Sequence, residues 1–184
     1  MIDQHVLDDL TDRARELRAG FADTAPAAWD PASAAAEFTV QAGHLALCLA
    51  HLSGSDTTCF DDPERPIHDV GDELADVVLA ALSIAILSNA EPCLEPVPVE
   101  ADDAAGALLV LLAAAGQLAE AAMIASGYRH TPTGHPPGVS SACGQTLAAA
   151  DQLAVLLGVD LAGAFAAMHT DARRFLASLE GGER

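Results

Sequence analysis

The stretch AGHLALCLAHLSG (42–54) returns 73 residues later as AGQLAEAAMIASG (115–127). Carried on without a gap, the same register lays GDELA (71–75) over GQTLA (144–148). Ala42, Gly43, Leu45, Ala46, Ser53, Gly54, Thr58, Pro63, Gly71, Leu74 and Ala75 are all repeated. An Ala- and Leu-rich chain matches itself by chance at single positions. Paired Ser-Gly helix stops in one constant register point instead to a duplicated unit. The unit is a helix–loop–helix hairpin. Two copies predict an all-α fold with a pseudo-twofold four-helix core, flanked by an N-terminal and a C-terminal helix. Residues 1–90 hold the first copy, 91–100 (EPCLEPVPVE) a Pro-rich linker, and 101–184 the second, the whole forming one compact unit.

Six helices follow from apolar periodicity and end signals. The first covers about 3–19, with Val6, Leu7, Leu10, Ala14 and Leu17 on one side and Gly20 as its stop. The second starts at Asp30-Pro31, an N-cap followed by proline in the first turn, and runs to Leu52. The third is expected from near Pro66 to Ser88, and the fourth from 101 to 125. The fifth spans 140–157, closed by Gly158, and Asp160 caps a sixth that reaches Leu179.

Composition narrows the function classes. The chain has 184 residues, is 51% apolar and only 4% aromatic, which favours helices packed through small side chains. Net charge is −19, with eight Arg and no Lys. Such a surface repels nucleic acid and anionic membranes, so neither is an expected partner. A small anion can still bind where a divalent cation bridges it to the protein. Cys48, Cys59, Cys93 and Cys143 form no CxxC pair and suit neither a zinc knuckle nor a disulfide framework. No basic start followed by an apolar core marks a signal peptide, and a cytoplasmic location is expected. The longest uncharged run, Ala104 to Ala119, reads as a buried helix; it is short for a membrane span.

The chemistry gathers in the first copy. Asp69, Asp72, Glu73 and Asp76 share one face of the third helix. Gln41, His44, Cys48 and His51 form a polar stripe on the second. In an antiparallel hairpin the two faces meet, giving a candidate site of Gln41, His44, Glu73 and Asp76 with Asp72 nearby. Clustered carboxylates repel one another, and a hard cation such as Mg²⁺ or Mn²⁺ relieves that repulsion. The competing reading is a solvated helix start, since acids in a first turn are favoured by the macrodipole. Spacing by itself leaves both open.

The hairpin pair resembles the all-α nucleoside triphosphate pyrophosphohydrolases, the MazG-like group. QAGHL (41–45) stands where that family has ExGEL, and DELAD (72–76) where it has ExxD. Trp29, just before the second helix, and GVDLAGAF (158–165), leading the last, also fit. The resemblance implies Mg²⁺-assisted cleavage of a nucleoside triphosphate to the monophosphate and pyrophosphate. It assigns Glu73 and Asp76 to the metal and to catalysis, with Gln41, His44 and Asp72 as further ligands. Trp29, Arg173 and Arg174 are then the nucleotide-binding candidates. The departures are specific. Gln41 and His44 replace two family acids, and Met168 and Ala172 stand where the last helix often carries Lys and Asn. The second copy has Ala114, Gln117, Thr146 and Ala149 at the four site positions and cannot hold metal by this scheme. The alternative is therefore a non-catalytic descendant that binds a nucleotide or a protein, or supports an assembly. A homodimer through Ala-rich faces is compatible with either.

Overall fold

In the computed structural model, asparte caps open most of the helices, and each shows why its helix starts where it does. The structure describes residues 2–181 apart from 23, 25, 26, 61, 65, 98 and 131. Pro98 of the expected linker and residues 182–184 of the expected second copy thus lie outside the described residues. Among the described residues there are six α-helices: α1 (Gln4–Phe21), α2 (Pro31–Leu52), α3 (Val70–Leu87), α4 (Ala104–Ala125), α5 (Val139–Leu157) and α6 (Leu161–Gly181). There is no strand among the described residues.

Helix α2 has the expected bounds. Asp30 accepts from Ser33 N, and the Ser33 hydroxyl answers the Asp30 N–H, closing a capping box. Helix α4 starts the same way, with Asp103 accepting from Gly106 N at 2.7 Å. Both helices are 22 residues long and end on serine. Gly54 (φ 76°) and Gly127 (φ 74°) follow in the left-handed region, where a glycine carries no Cβ penalty. Asp103→Ala is expected to cost about 1 kcal/mol, a fall in Tm of roughly 2–4 °C for a chain of this size. Thermal denaturation checks it, and Asp30→Ala should shift Tm in the same direction.

Two sequence expectations need correcting. Helix α3 begins at Val70 rather than near Pro66, because the Asp69 carboxylate takes the Gly71 and Asp72 N–H groups and leaves Pro66–His68 outside the helix. Gly20 does not stop α1. It lies inside the helix, where an added Cβ would stand 2.5 Å from Leu176 Cδ1 of α6, so the glycine serves close helix approach.

Helix α3 is the centre of the fold. Leu74, Ala75, Val77, Val78, Ala81, Leu82, Ile84 and Ala85 are fully buried. It packs against α2, α5, α6 and α1, while α5 packs against α4 and α2 against α4. The four core helices thus run α2–α3–α5–α4 around a shared interior. Helices α1 and α6 lie on the outer side of α3, where Phe165 is buried. The linker straps the outer side of α5: Ser140 donates to the Glu91 carbonyl and Ser141 to Glu95 Oε1 at 2.8 Å.

Helix α4 is only half the buried helix expected. Ala107, Leu111, Ala114, Leu118 and Ala122 face inward, but Leu109, Leu112 and Met123 are exposed. By length and composition α4 is apolar enough to cross a bilayer, with a third of its apolar window buried in the fold.

Candidate functional site

The α2 stripe and the α3 acids do meet. Gln41 Nε2 donates to Glu37 Oε1 at 2.8 Å, and Gln41 Oε1 lies 3.2 Å from His44 Nδ1. The same His44 nitrogen is 3.7 Å from Glu73 Oε2. Glu73 is buried, 8% exposed, and His44 is partly buried. A carboxylate this deep in an apolar helix is costly unless polar groups surround it. From the α2 stripe, His44 comes nearest to it, at 3.7 Å.

One turn on, Asp76 lines a small cavity of about 60 Å³ with Arg18, Trp29, Glu37, Gln41, Leu79, Ala80 and Ser83. Arg18 reaches in from α1, its Cζ 4.6 Å from the Trp29 ring centre and 5.7 Å from that of Phe21, a cation–π arrangement. Burial lowers the Arg18 pKa and the Glu37 charge partly restores it; a guanidinium stays protonated throughout. The cavity therefore joins one fixed positive charge to two carboxylates beside an indole face. Two of these residues escaped the sequence reading. Glu37 stands four residues before Gln41 and so extends the polar stripe by one turn, a signal that was present. Arg18 lies on another helix, and no local spacing could have announced it.

The remaining candidates point elsewhere. Asp69 is the α3 cap, so the solvated-helix-start reading holds for that residue. Asp72 is exposed. Burial first, then the charges of Asp69 and of Asp171 on α6, raise its pKa above the ordinary aspartate value. An acid whose folded pKa is raised loses stability as pH climbs through that value. Asp72→Asn should therefore raise Tm at pH 7, with the gain vanishing below about pH 3.9, where the wild-type carboxyl is protonated too. Thermal melts across pH test this. Arg173 Nε pairs with Glu16 Oε1 at 3.1 Å and Arg174 Nη1 with Asp171 Oδ1 at 2.6 Å, all on exposed surface. At the positions 73 residues after Gln41, Glu73 and Asp76, Ala114, Thr146 and Ala149 are buried, and Gln117, 73 residues after His44, is exposed. The Cys48 and Cys143 thiols are unsuited to nucleophilic attack at neutral pH. Burial, with the Glu73 and Asp69 charges, pushes Cys48 up, and burial with Cys93 pushes Cys143 up to about 12.

As a donor set for metal, the carboxylates of Glu73, Asp76 and Glu37 and the Gln41 carbonyl suit a hard cation. The His44 nitrogen suits a softer one. Among the described residues, no group of three or more His, Cys, Asp or Glu side chains is already gathered to hold an ion. Comparison with family models, with curated proteins and with solved structures finds no match to this chain.

Proposed function

We propose that the chain is a MazG-like nucleotide pyrophosphohydrolase in which only the first hairpin keeps a working site. The observation that carries this is the approach of His44 to Glu73 across α2 and α3, with Gln41 beside the same His44 nitrogen and, with Asp76, lining the adjoining cavity. Mg²⁺ or Mn²⁺, held by Glu73 and Asp76 with Gln41, His44 and Asp72 as further candidates, would supply charge neutralisation at the phosphates and activation of water. The chain's own groups would do the rest. Trp29 offers a face for a base, Arg18 carries positive charge beside it, and the apolar α3 residues exclude water. Arg173 and Arg174 would reach a phosphate only by leaving Glu16 and Asp171.

The duplication supports the same reading. Helices α2 and α4 share length, cap type and left-handed exit glycine. The segment after α3 crosses α5 at Gly144, and the segment after α5 lies on α3 at Gly71, near Val159 and Ala164. Each copy's trailing chain thus covers the other's second helix, as a pseudo-twofold pair would arrange it. The second copy then serves as scaffold, in one compact unit.

Pyrophosphate release from a panel of NTPs and dNTPs, with Mg²⁺ or Mn²⁺, tests the activity. Release is expected, and Glu73→Ala should abolish it. No release with any nucleotide, together with no metal-dependent rise in Tm, would sink the proposal. A second reading, a non-catalytic nucleotide- or protein-binding descendant, draws on two observations. Gln41 and His44 replace acids, and the cavity of about 60 Å³ is far below the roughly 300–1,000 Å³ of ordinary ligand pockets. A nucleotide-dependent rise in Tm without pyrophosphate would favour it.

A further inference from the structure

Helices α1 and α6 pack on α3 and on each other, and the linker lies on α5, which leaves the outer side of α2 and α4 open. That side is poor in charge. Helix α4 is uncharged from Ala104 to Ala119, and its one acid, Glu120, pairs with Arg129 at 2.8 Å. Helix α2 has no Arg and a single acid, Glu37, which lines the Asp76 cavity instead. Ala105, Leu109, Leu112 and Gly116 follow one another at helical spacing along α4 and are all exposed, Leu109 by 68%. Ala36, Thr39 and Gly43 do the same along α2. Leu109 also borders a shallow groove of about 320 Å³ with Val99 and Val110, so the face offers a hollow beside a knob.

Gly43 and Gly116 stand in mid-helix, where glycine is less stable than alanine. Neither has a positive φ. A Cβ at Gly20 or Gly144 would strike another part of the chain, but at Gly43 and Gly116 it would meet nothing within 4 Å. Nothing within the chain therefore calls for glycine at either place. A helix of another molecule, lying close against this face, does.

Charge and area identify that molecule. With a net charge of −19, a second copy is repelled over most of the surface. A twofold contact sets one face against itself, so a face without acids is where two copies can meet. Each helix has 22 residues, about 33 Å at 1.5 Å per residue, and two of about 10 Å diameter side by side present roughly 650 Å². A standard interface takes about 800 Å² per partner, and a specific one at least about 500 Å².

We propose that the α2–α4 face pairs with the same face of a second copy of the chain, forming a twofold homodimer. The pairing does not depend on the nucleotide chemistry.

Sedimentation equilibrium of the full chain tests it. The mass should rise from the 18.8 kDa of one chain to twice that as the concentration climbs through the micromolar range. Leu109→Glu and Gly116→Glu each set like charges against one another across the twofold axis, and each should weaken association at least about tenfold. Circular dichroism of both variants should match the wild type, since Leu109 is exposed and a Cβ at Gly116 meets no neighbour. Val155→Glu, at an exposed position of α5 outside this face, should dimerise as the wild type does. A single-chain mass up to about 100 μM overturns the proposal. So does a dimer that survives both α4 substitutions, or one lost in Val155→Glu and kept in Leu109→Glu. Flotation of a monomeric chain with zwitterionic phosphatidylcholine vesicles overturns it as well, and assigns the face to a bilayer.

Discussion

Gly144→Val is expected to lower stability by about 3 kcal/mol, the upper end of ordinary overpacking, or roughly 6–12 °C in Tm. A Cβ at Gly144 would stand 1.9 Å from the Cys93 carbonyl oxygen and 3.0 Å from Glu95 Cγ. The first obstacle is backbone, so no side-chain rotation relieves it. The linker must lift from α5, and the Ser140 and Ser141 bonds to Glu91 and Glu95 go with it. Hydrogen exchange across 91–97 should rise together with the fall in Tm. Gly71→Ala is the informative contrast. Its nearest neighbours would be Asp69 Oδ1 at 3.2 Å and the Ala164 Cβ at 3.6 Å. Both can yield slightly, and the expected cost is below about 1 kcal/mol. Equal losses at the two glycines would show that the linker does not clamp α5 as described.

Thr146→Glu should cost more, about 3–5 kcal/mol, the penalty of an uncompensated buried charge. Thr146 stands 73 residues after Glu73 and is fully buried, its hydroxyl donating to the Ala142 carbonyl at 2.8 Å. His44 Nδ1 lies 3.7 Å from the Glu73 carboxylate. At the positions 73 residues after Gln41 and His44, Ala114 has no polar side-chain atom and Gln117 is exposed. Burial raises the pKa of the new carboxyl. The destabilisation is therefore complete above that raised value and shrinks as pH falls toward the ordinary glutamate pKa of about 4.3. Thr146→Val, which drops only the hydroxyl, should change stability by about 1 kcal/mol. Melts at two pH values separate these effects. A Thr146→Glu variant as stable as wild type would mean that the α5 interior accommodates an acid without the α2 stripe, and the stripe would lose its role as the partner of Glu73.

Much of the helical frame was legible because its signals are local. Asp30-Pro31, the Ser-Gly stops and Gly158 sit in the sequence where the caps and exits stand in the structure. The error at α3 was local too: Asp69 is a better cap than Pro66 is a first residue, because its side chain satisfies two N–H groups. Gly20 misled because glycine signals both a helix end and a close helix contact, and only the position of Leu176 decides between them.

By itself, the sequence determined an all-helical chain, its six elements, and the placing of Gln41, His44, Glu73 and Asp76 on the facing helices of one hairpin. Period and capping act over a few residues, so they survive in one dimension. Tertiary structure alone decided that Arg18 closes the cavity beside Asp76, that Asp72 faces Asp171, and that Arg173 and Arg174 are engaged by surface acids. It also brought His51 to His68. Each of these depends on where a second, distant segment comes to rest, and that is set by burial of the shared core rather than by any spacing along the chain.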